Sequence, residues 1–264
     1  MHALGWVAVG LYAAAEAMAI RSLFRPKGLG AAPALVAAGL VAQFLDLQLV
    51  GRSLGSVPYR TLGGSIALFA WMLGLAYLAL VLRHRERAIG PFLIPFVLAF
   101  SVLGVVLPSH APSGPATRGS LFAFHVTLAI LADAAFALSF VLSLLYLIQN
   151  RQIRRGRTGV LFSRLPALEV IGRMNRTSAT IGIVVLAVSV ALGVAWARRV
   201  WSGFTDAKLV WALLTLLVYG MMLWMDRRGW EGPRVALLSI FGFLLVLFSY
   251  TFVNLYLSQA HVFR

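Results

Sequence analysis

Cysteine is absent from the 264 residues, so this chain has no disulfide and no thiolate metal ligand. Acidic side chains are scarce as well, eight against 23 Lys and Arg, and charged residues of both signs reach only 12%. Soluble domains carry about 25%. Also missing are a Gly-rich phosphate loop, a nucleophile and base at workable spacing, and a closed metal-ligand motif, which leaves an ordinary enzyme without machinery. The start lacks a basic n-region and a small-residue cleavage site before Arg21, so the first apolar run reads as a retained helix, not a signal peptide. No repeat or low-complexity tract stands out.

What is abundant is apolar surface: 61% of residues are hydrophobic and the mean hydropathy is +0.89. The pattern predicts an all-α polytopic membrane protein. Eight apolar segments run at about 3–20, 29–50, 61–82, 90–107, 119–148, 177–197, 207–225 and 234–257. At 1.5 Å per residue, ~20 residues match the hydrocarbon thickness of a bilayer. A net charge of +15 would suggest nucleic acid in a soluble chain, but here the basic residues lie between apolar runs and point to topology and anionic lipid headgroups.

Their distribution is lopsided. The first, third, fifth and seventh connections hold Arg21, Arg25, Lys27, then Arg83, Arg85, Arg87, then Arg151, Arg154, Arg155, Arg157, Arg164, Arg173, Arg176, then Arg227, Arg228, Arg234. The other side has only Arg52, Arg60, Arg118, Arg198, Arg199, Lys208 and Arg264. The positive-inside rule then predicts eight spans with both termini outside the cytoplasm, in a cytoplasmic (inner) membrane. The chain reads as a four-helix portion over 1–118 and a second portion over 119–264. The second carries a cytoplasmic loop, 150–176, and an outer tryptophan loop, 197–208. Within the cytoplasmic loop, Leu165 to Arg176 reads as a short amphipathic helix opened by Pro166 and lying on the lipid surface.

Ionisable groups inside the apolar runs are costly, roughly 2.5–3.5 kcal/mol at the bilayer centre. Glu16 is expected to pair with Arg21, and Asp46 lies close to Arg52. Asp133, halfway along the fifth segment, is either a buried hydrogen-bonder or part of a ligand or proton site. A transporter or channel would use these three carboxylates.

Of five histidines, His84 sits in a basic cytoplasmic run and His2 at a terminus expected to fray. His110, His125 and His261 fall on the outer side. His125 is seven residues past Arg118, ~10 Å along a helix. Imidazole is a common axial ligand of haem iron. Trp196, Trp201, Phe204 and Trp211 could wall such a group, and Arg198, Arg199 and Lys208 could pair with propionates. Interface anchoring accounts for the same tryptophans and helix capping for the same cations. Tyr250, Asn254 and His261 share one helical face, and Asn254 needs a partner in another helix or in a ligand.

Three stretches carry a resemblance. They are Phe124-His125-Val126-Thr127 onward to Phe136; Leu165-Pro166-Ala167-Leu168-Glu169 through Arg176 and on to Gly193-Val194-Ala195-Trp196; and Trp201 to Leu213 with Trp230, Phe248-Ser249-Tyr250, Asn254 and His261. Together they resemble the membrane haem-handling proteins of c-type cytochrome assembly and their HemX-like relatives. The family's hallmark is a tryptophan-rich outer loop ending in Trp-Asp-Pro-Lys. Trp201, Asp206, Lys208 and Trp211 occupy matching places, while Phe204 and Thr205 replace the aromatic pair and Ala207 the proline. The resemblance implies a non-covalent b-type haem under this loop, flanked by His125 and His261, with His110 as an alternative ligand. It implies presentation to an apocytochrome or another assembly partner. The HemX-like branch implies instead a membrane regulator of haem synthesis acting through a cytoplasmic enzyme.

Overall fold

A computed structural model describes residues 2–24, 31–53, 58–108, 119–156, 159, 163–200 and 207–249, with backbone only at 58, 199, 200, 207 and 208. Among these residues there are eight long helices: α1 (Ala3–Phe24), α2 (Ala31–Ser53), α3 (Leu62–His84), α4 (Gly90–Val106), α5 (Gly119–Arg154), α6 (Leu168–Val200), α7 (Ala207–Arg227) and α8 (Gly232–Phe248). Six are long and apolar enough to cross a membrane, and α4 and α8, at 17 residues each, are shorter apolar helices. The chain is a multi-pass membrane protein.

Local chemistry sets the helix ends. Thr61 caps α3 by accepting the Gly64 amide at 3.0 Å, and Arg85 closes it in the left-handed region at φ 57°. Pro91 and Pro233 open α4 and α8, where the missing N–H costs nothing. At the end of α7, Gly229 adopts φ 74° while its amide donates to the Asp226 carbonyl and the Trp230 amide to that of Met225. Those two bonds form a Schellman stop, and a left-handed position there favours glycine.

Helices outrun the apolar segments on both sides of the fifth connection. α5 continues to Arg154, and α6 begins at Leu168, nine residues before the apolar run. The surface-lying amphipathic helix expected over 165–176 therefore does not exist as a separate element. Its residues from Leu168 are the first turns of α6, and Ile171, Met174 and Asn175 are buried there. The reason is a packing partner. Asn175 accepts from the Ser139 hydroxyl at 2.5 Å and donates to Ser143 at 3.0 Å, both on α5.

The chain divides into two compact units, Met1–Pro112 with Gln149–Val170, and Ser113–Ile148 with Ile171–Arg264. In the first, α1 packs on α2 and α4, and α3 on α2 and α4. Its centre is polar: Gln43 accepts from the Tyr12 hydroxyl at 2.8 Å and from Ser101 at 3.4 Å, and donates to the Ala67 carbonyl at 3.0 Å. Glu16 Oε2 is buried with no hydrogen-bond partner. Asp46 does not turn to Arg52; its Oδ2 lies 2.9 Å from His2 Nδ1, so His2 is tied down and not frayed.

The second unit has its own polar centre. Ser139 shares a 2.7 Å hydrogen bond with Ser239 of α8, and the Tyr219 hydroxyl of α7 donates to the Ser239 carbonyl at 3.1 Å. With Asn175, this network draws on all four helices of the unit. Phe136 stacks on Tyr219 with ring centroids 4.0 Å apart and planes 17° apart. Lipid is as apolar as leucine, so bonds of this kind, each about 0.6 kcal/mol on average, and close packing hold membrane helices together. At one end, Arg176 embraces Asp226, with Nη2 3.3 Å from Oδ1 and Nε 2.5 Å from Oδ2.

Candidate functional site

His125 stands in the second turn of α5 and is half-buried. Its Nδ1 lies 2.7 Å from the backbone carbonyl oxygen of Ser189 on α6 and 3.1 Å from the Ser189 hydroxyl. The hydroxyl in turn donates to the His125 carbonyl at 2.8 Å. A carbonyl oxygen can only accept, so Nδ1 carries the ring proton and Nε2 is left with the lone pair. That is the tautomer in which an imidazole can ligate a metal, with its other nitrogen donating to an outer-shell oxygen.

One turn after Ser189, Gly193 faces the same ring. A Cβ added there would lie 2.7 Å from Cε1, 2.8 Å from Nδ1 and 3.2 Å from Nε2 of His125. The imidazole occupies the space that any larger residue 193 would need. One turn before His125 on the α5 face, Phe122 is buried, with its ring centroid 4.7 Å from that of buried Trp196 and 6.2 Å from that of His125. An aromatic pair thus borders the histidine. Arg198 follows on α6 with an exposed side chain.

The structure brings together only part of the expected constellation. His125, Trp196 and Arg198 lie along α5 and α6 as described. Trp211, in the first turns of α7, is half-buried and packs against Phe248 of α8 at 4.8 Å between centroids. Arg199 and Lys208 are helical in backbone, so the outer loop expected over 197–208 does not include them. Trp201, Phe204 and Asp206 in that loop, and His110, Asn254 and His261 elsewhere, lie outside the described residues. Asp133 is half-buried two turns further along α5, within electrostatic reach of Tyr219.

Ser189 was not singled out from the sequence, and Gly193 entered it only within a stretch that carries the family resemblance. Their signal was available in principle, a hydroxyl and a glycine four residues apart on one helical face opposite a histidine, but such pairs are common in membrane helices for packing alone. Among the described residues no three His, Asp or Glu side chains gather as a metal site. A bare metal ion with four protein ligands does not fit this donor set. Haem iron does, since the porphyrin supplies four nitrogens and the protein only axial donors.

The chain is 30% identical to the cytochrome c biogenesis protein CcsA of Prochlorococcus marinus (strain MIT 9301), over 81% of this chain and 79% of that one. It is 28% identical to CcsA of Synechococcus sp. (strain CC9902), over 96% and 92% of the two chains, and 27% identical to CcsA of Pyropia yezoensis, over 81% and 82%. The cytochrome C assembly protein model matches residues 59–261, a span that takes in α3 to α8 and the His125 site. On that match the chain belongs to the cytochrome c assembly protein family.

Proposed function

We propose that this protein acts in c-type cytochrome maturation by holding a non-covalent b-type haem in its second unit and presenting it to an assembly partner or an apocytochrome. The observation that carries the reading is the commitment of His125 Nδ1 to the Ser189 carbonyl, 2.7 Å away, which leaves Nε2 basic. Haem would bring the iron that an apocytochrome ultimately receives. The chain's own residues do the rest. His125 offers an axial nitrogen, the Ser189 carbonyl fixes the tautomer, and Gly193 makes room for the ring. Phe122 and Trp196 border it with apolar surface.

By the family resemblance His261 would be a second ligand, with His110 as the alternative; Trp201, Phe204, Asp206 and Trp211 would cover the haem, Arg198, Arg199 and Lys208 would pair with its propionates, and Asn254 would hydrogen-bond to the haem or to another helix. With two histidine ligands the iron would have no open position for oxygen chemistry, and the role would be carriage. The chain has no cysteine, so thioether bonds form on the acceptor and not here. The charge pattern supports eight spans in a cytoplasmic membrane, both termini outside, with the haem on the outer face.

Purification from haem-supplied cells tests this. The parent should show a Soret band, and His125→Ala should lose it with the helical content unchanged. A colourless parent, or a variant with the parental spectrum, overturns the assignment.

A further inference from the structure

The turn between α7 and α8 is rich in arginine and poor in acid. Arg227, Arg228 and Arg234 are all exposed there, and the two neighbouring carboxylates are already engaged, Asp226 by Arg176 and Glu231, 3.9 Å away, by Arg234. Two of these cations lie over tryptophan rings. The Arg228 guanidinium carbon stands 5.3 Å from the centroid of Trp224, and that of Arg234 5.7 Å from the centroid of Trp230. Each ring orders its arginine before any ligand arrives. Trp224 and Trp230 are still 52% and 44% exposed, so about half of each residue is left uncovered.

Leading up to the turn, α7 carries an exposed apolar row, Leu213, Leu217, Met221 and Trp224, and the row has a gap. Gly220 sits in it, and a Cβ there would meet nothing within 4 Å. Gly182, Gly193 and Gly242, by contrast, each have an aromatic ring where a Cβ would go. Glycine inside a helix is destabilising relative to alanine, so the packing of this chain does not account for Gly220. Nor is it the mark of a partner helix. Close helix contact in a membrane uses small residues four apart, and the residues four to either side of Gly220 are Leu216 and Trp224. What remains is a notch one side chain wide, with an indole roughly 6 Å and two arginines roughly 10–12 Å further along the axis.

We propose that this corner binds one glycerophospholipid with an anionic headgroup. Arg227 and Arg228 take the phosphate, Trp224 stands at the level of the glycerol esters, and one acyl chain lies along Leu217 in the notch at Gly220. Guanidinium pairs with phosphate through charge-assisted hydrogen bonds, and indole rings favour the boundary between headgroups and hydrocarbon. Trp230 and Arg234 border the headgroup from the α8 side. The distribution of basic residues puts this turn on the cytoplasmic side, where anionic lipid gives the membrane a negative surface. No residue assigned to haem takes part.

The test is native mass spectrometry of the full, delipidated chain titrated with phosphatidylglycerol or with phosphatidylcholine of the same acyl length. The parent should retain one phosphatidylglycerol in preference to phosphatidylcholine. Arg227→Gln with Arg228→Gln should weaken that binding about 30-fold, the effect of two cations near an anionic surface. Arg151→Gln with Arg154→Gln, which removes equal charge from the end of α5, should leave it unchanged. Gly220→Leu fills the notch at an exposed position, so helical content should hold while retention of the lipid falls. Equal retention of the two lipids, equal loss from both arginine pairs, or unaltered binding by Gly220→Leu overturns the proposal. A parent that is dimeric and made monomeric by Gly220→Leu gives the face to a second copy and overturns it as well.

Discussion

The two units each hold an imidazole by Nδ1, and they do it with opposite kinds of oxygen. In the second unit the partner of His125 is a neutral backbone carbonyl, reinforced by the Ser189 hydroxyl on the same turn. In the first unit the partner of His2 is a buried carboxylate whose other oxygen is unmatched. Each ring is reached through a glycine, Gly193 in one case and Gly5 in the other, but the glycines do different things. Gly193 touches the imidazole itself, whereas Gly5 touches the carboxylate behind the imidazole. The second unit therefore fixes where its ring stands, and the first fixes how much charge stands behind it. A carbonyl-backed ring is held with little electronic cost. A carboxylate-backed ring is the stronger donor.

The largest effect that would break this contrast comes from Gly193→Leu. Its Cβ alone would fall 2.7 Å from His125 Cε1, and the branched side chain needs the whole volume of the ring. His125 must leave the Ser189 carbonyl, and the Soret band should fall as far as in His125→Ala while the helical content holds. Gly5→Ala should act one step removed. It presses on Asp46 Oδ2 and Val105, leaves His125 untouched, and should leave the Soret band at its parental height, so the two variants separate the units in one absorbance series. Equal loss in both variants would mean that the units do not hold independent rings.

Next in size are the polar centres that keep each unit's helices in register. Asn175→Ala strips partners from Ser139 and Ser143 in the second unit, and Gln43→Ala strips them from Tyr12 and Ser101 in the first. Each should cost about 1–3 kcal/mol, the penalty for leaving a buried donor or acceptor unmatched. Reversible unfolding in mixed micelles measures it. If the comparison is sound, Asn175→Ala lowers occupancy at His125 and Gln43→Ala does not.

Much of this was legible in the sequence at the level of class and little at the level of the sites. Apolar runs located every helix, because hydrocarbon thickness sets a length that hydropathy reports directly. Helix ends were less legible, since hydropathy tracks lipid while capping and side-chain partners set where helicity stops. The residues from Leu168 to Arg176 show it. They read as amphipathic and separate, yet Asn175 finds two serines on α5 and the helix runs through. His125 was singled out by its depth in an apolar segment, but its partner is 64 residues away. His2 and Asp46 were each noticed and each given other surroundings, a fraying terminus and Arg52, because 44 residues separate two side chains that only the packing of α1 on α2 brings together.

The smallest effect sharpens the contrast most. Ser189→Ala removes the hydroxyl that sits 3.1 Å from Nδ1 and donates to the His125 carbonyl, but it leaves the Ser189 backbone carbonyl, at 2.7 Å, where it is. The His125 carbonyl is already an acceptor within α5, so no buried group is stranded. The cost should be near that of one membrane hydrogen bond, about 0.6 kcal/mol and less than threefold in haem affinity. The Soret position should not move, because the carbonyl still fixes the proton on Nδ1. In the first unit the matching change, Asp46→Ala, removes the whole partner of His2 and should leave the His125 spectrum unchanged. If Ser189→Ala instead abolishes haem as Gly193→Leu does, the hydroxyl and not the carbonyl holds the ring. The two units would then both depend on a side chain that a single substitution can delete.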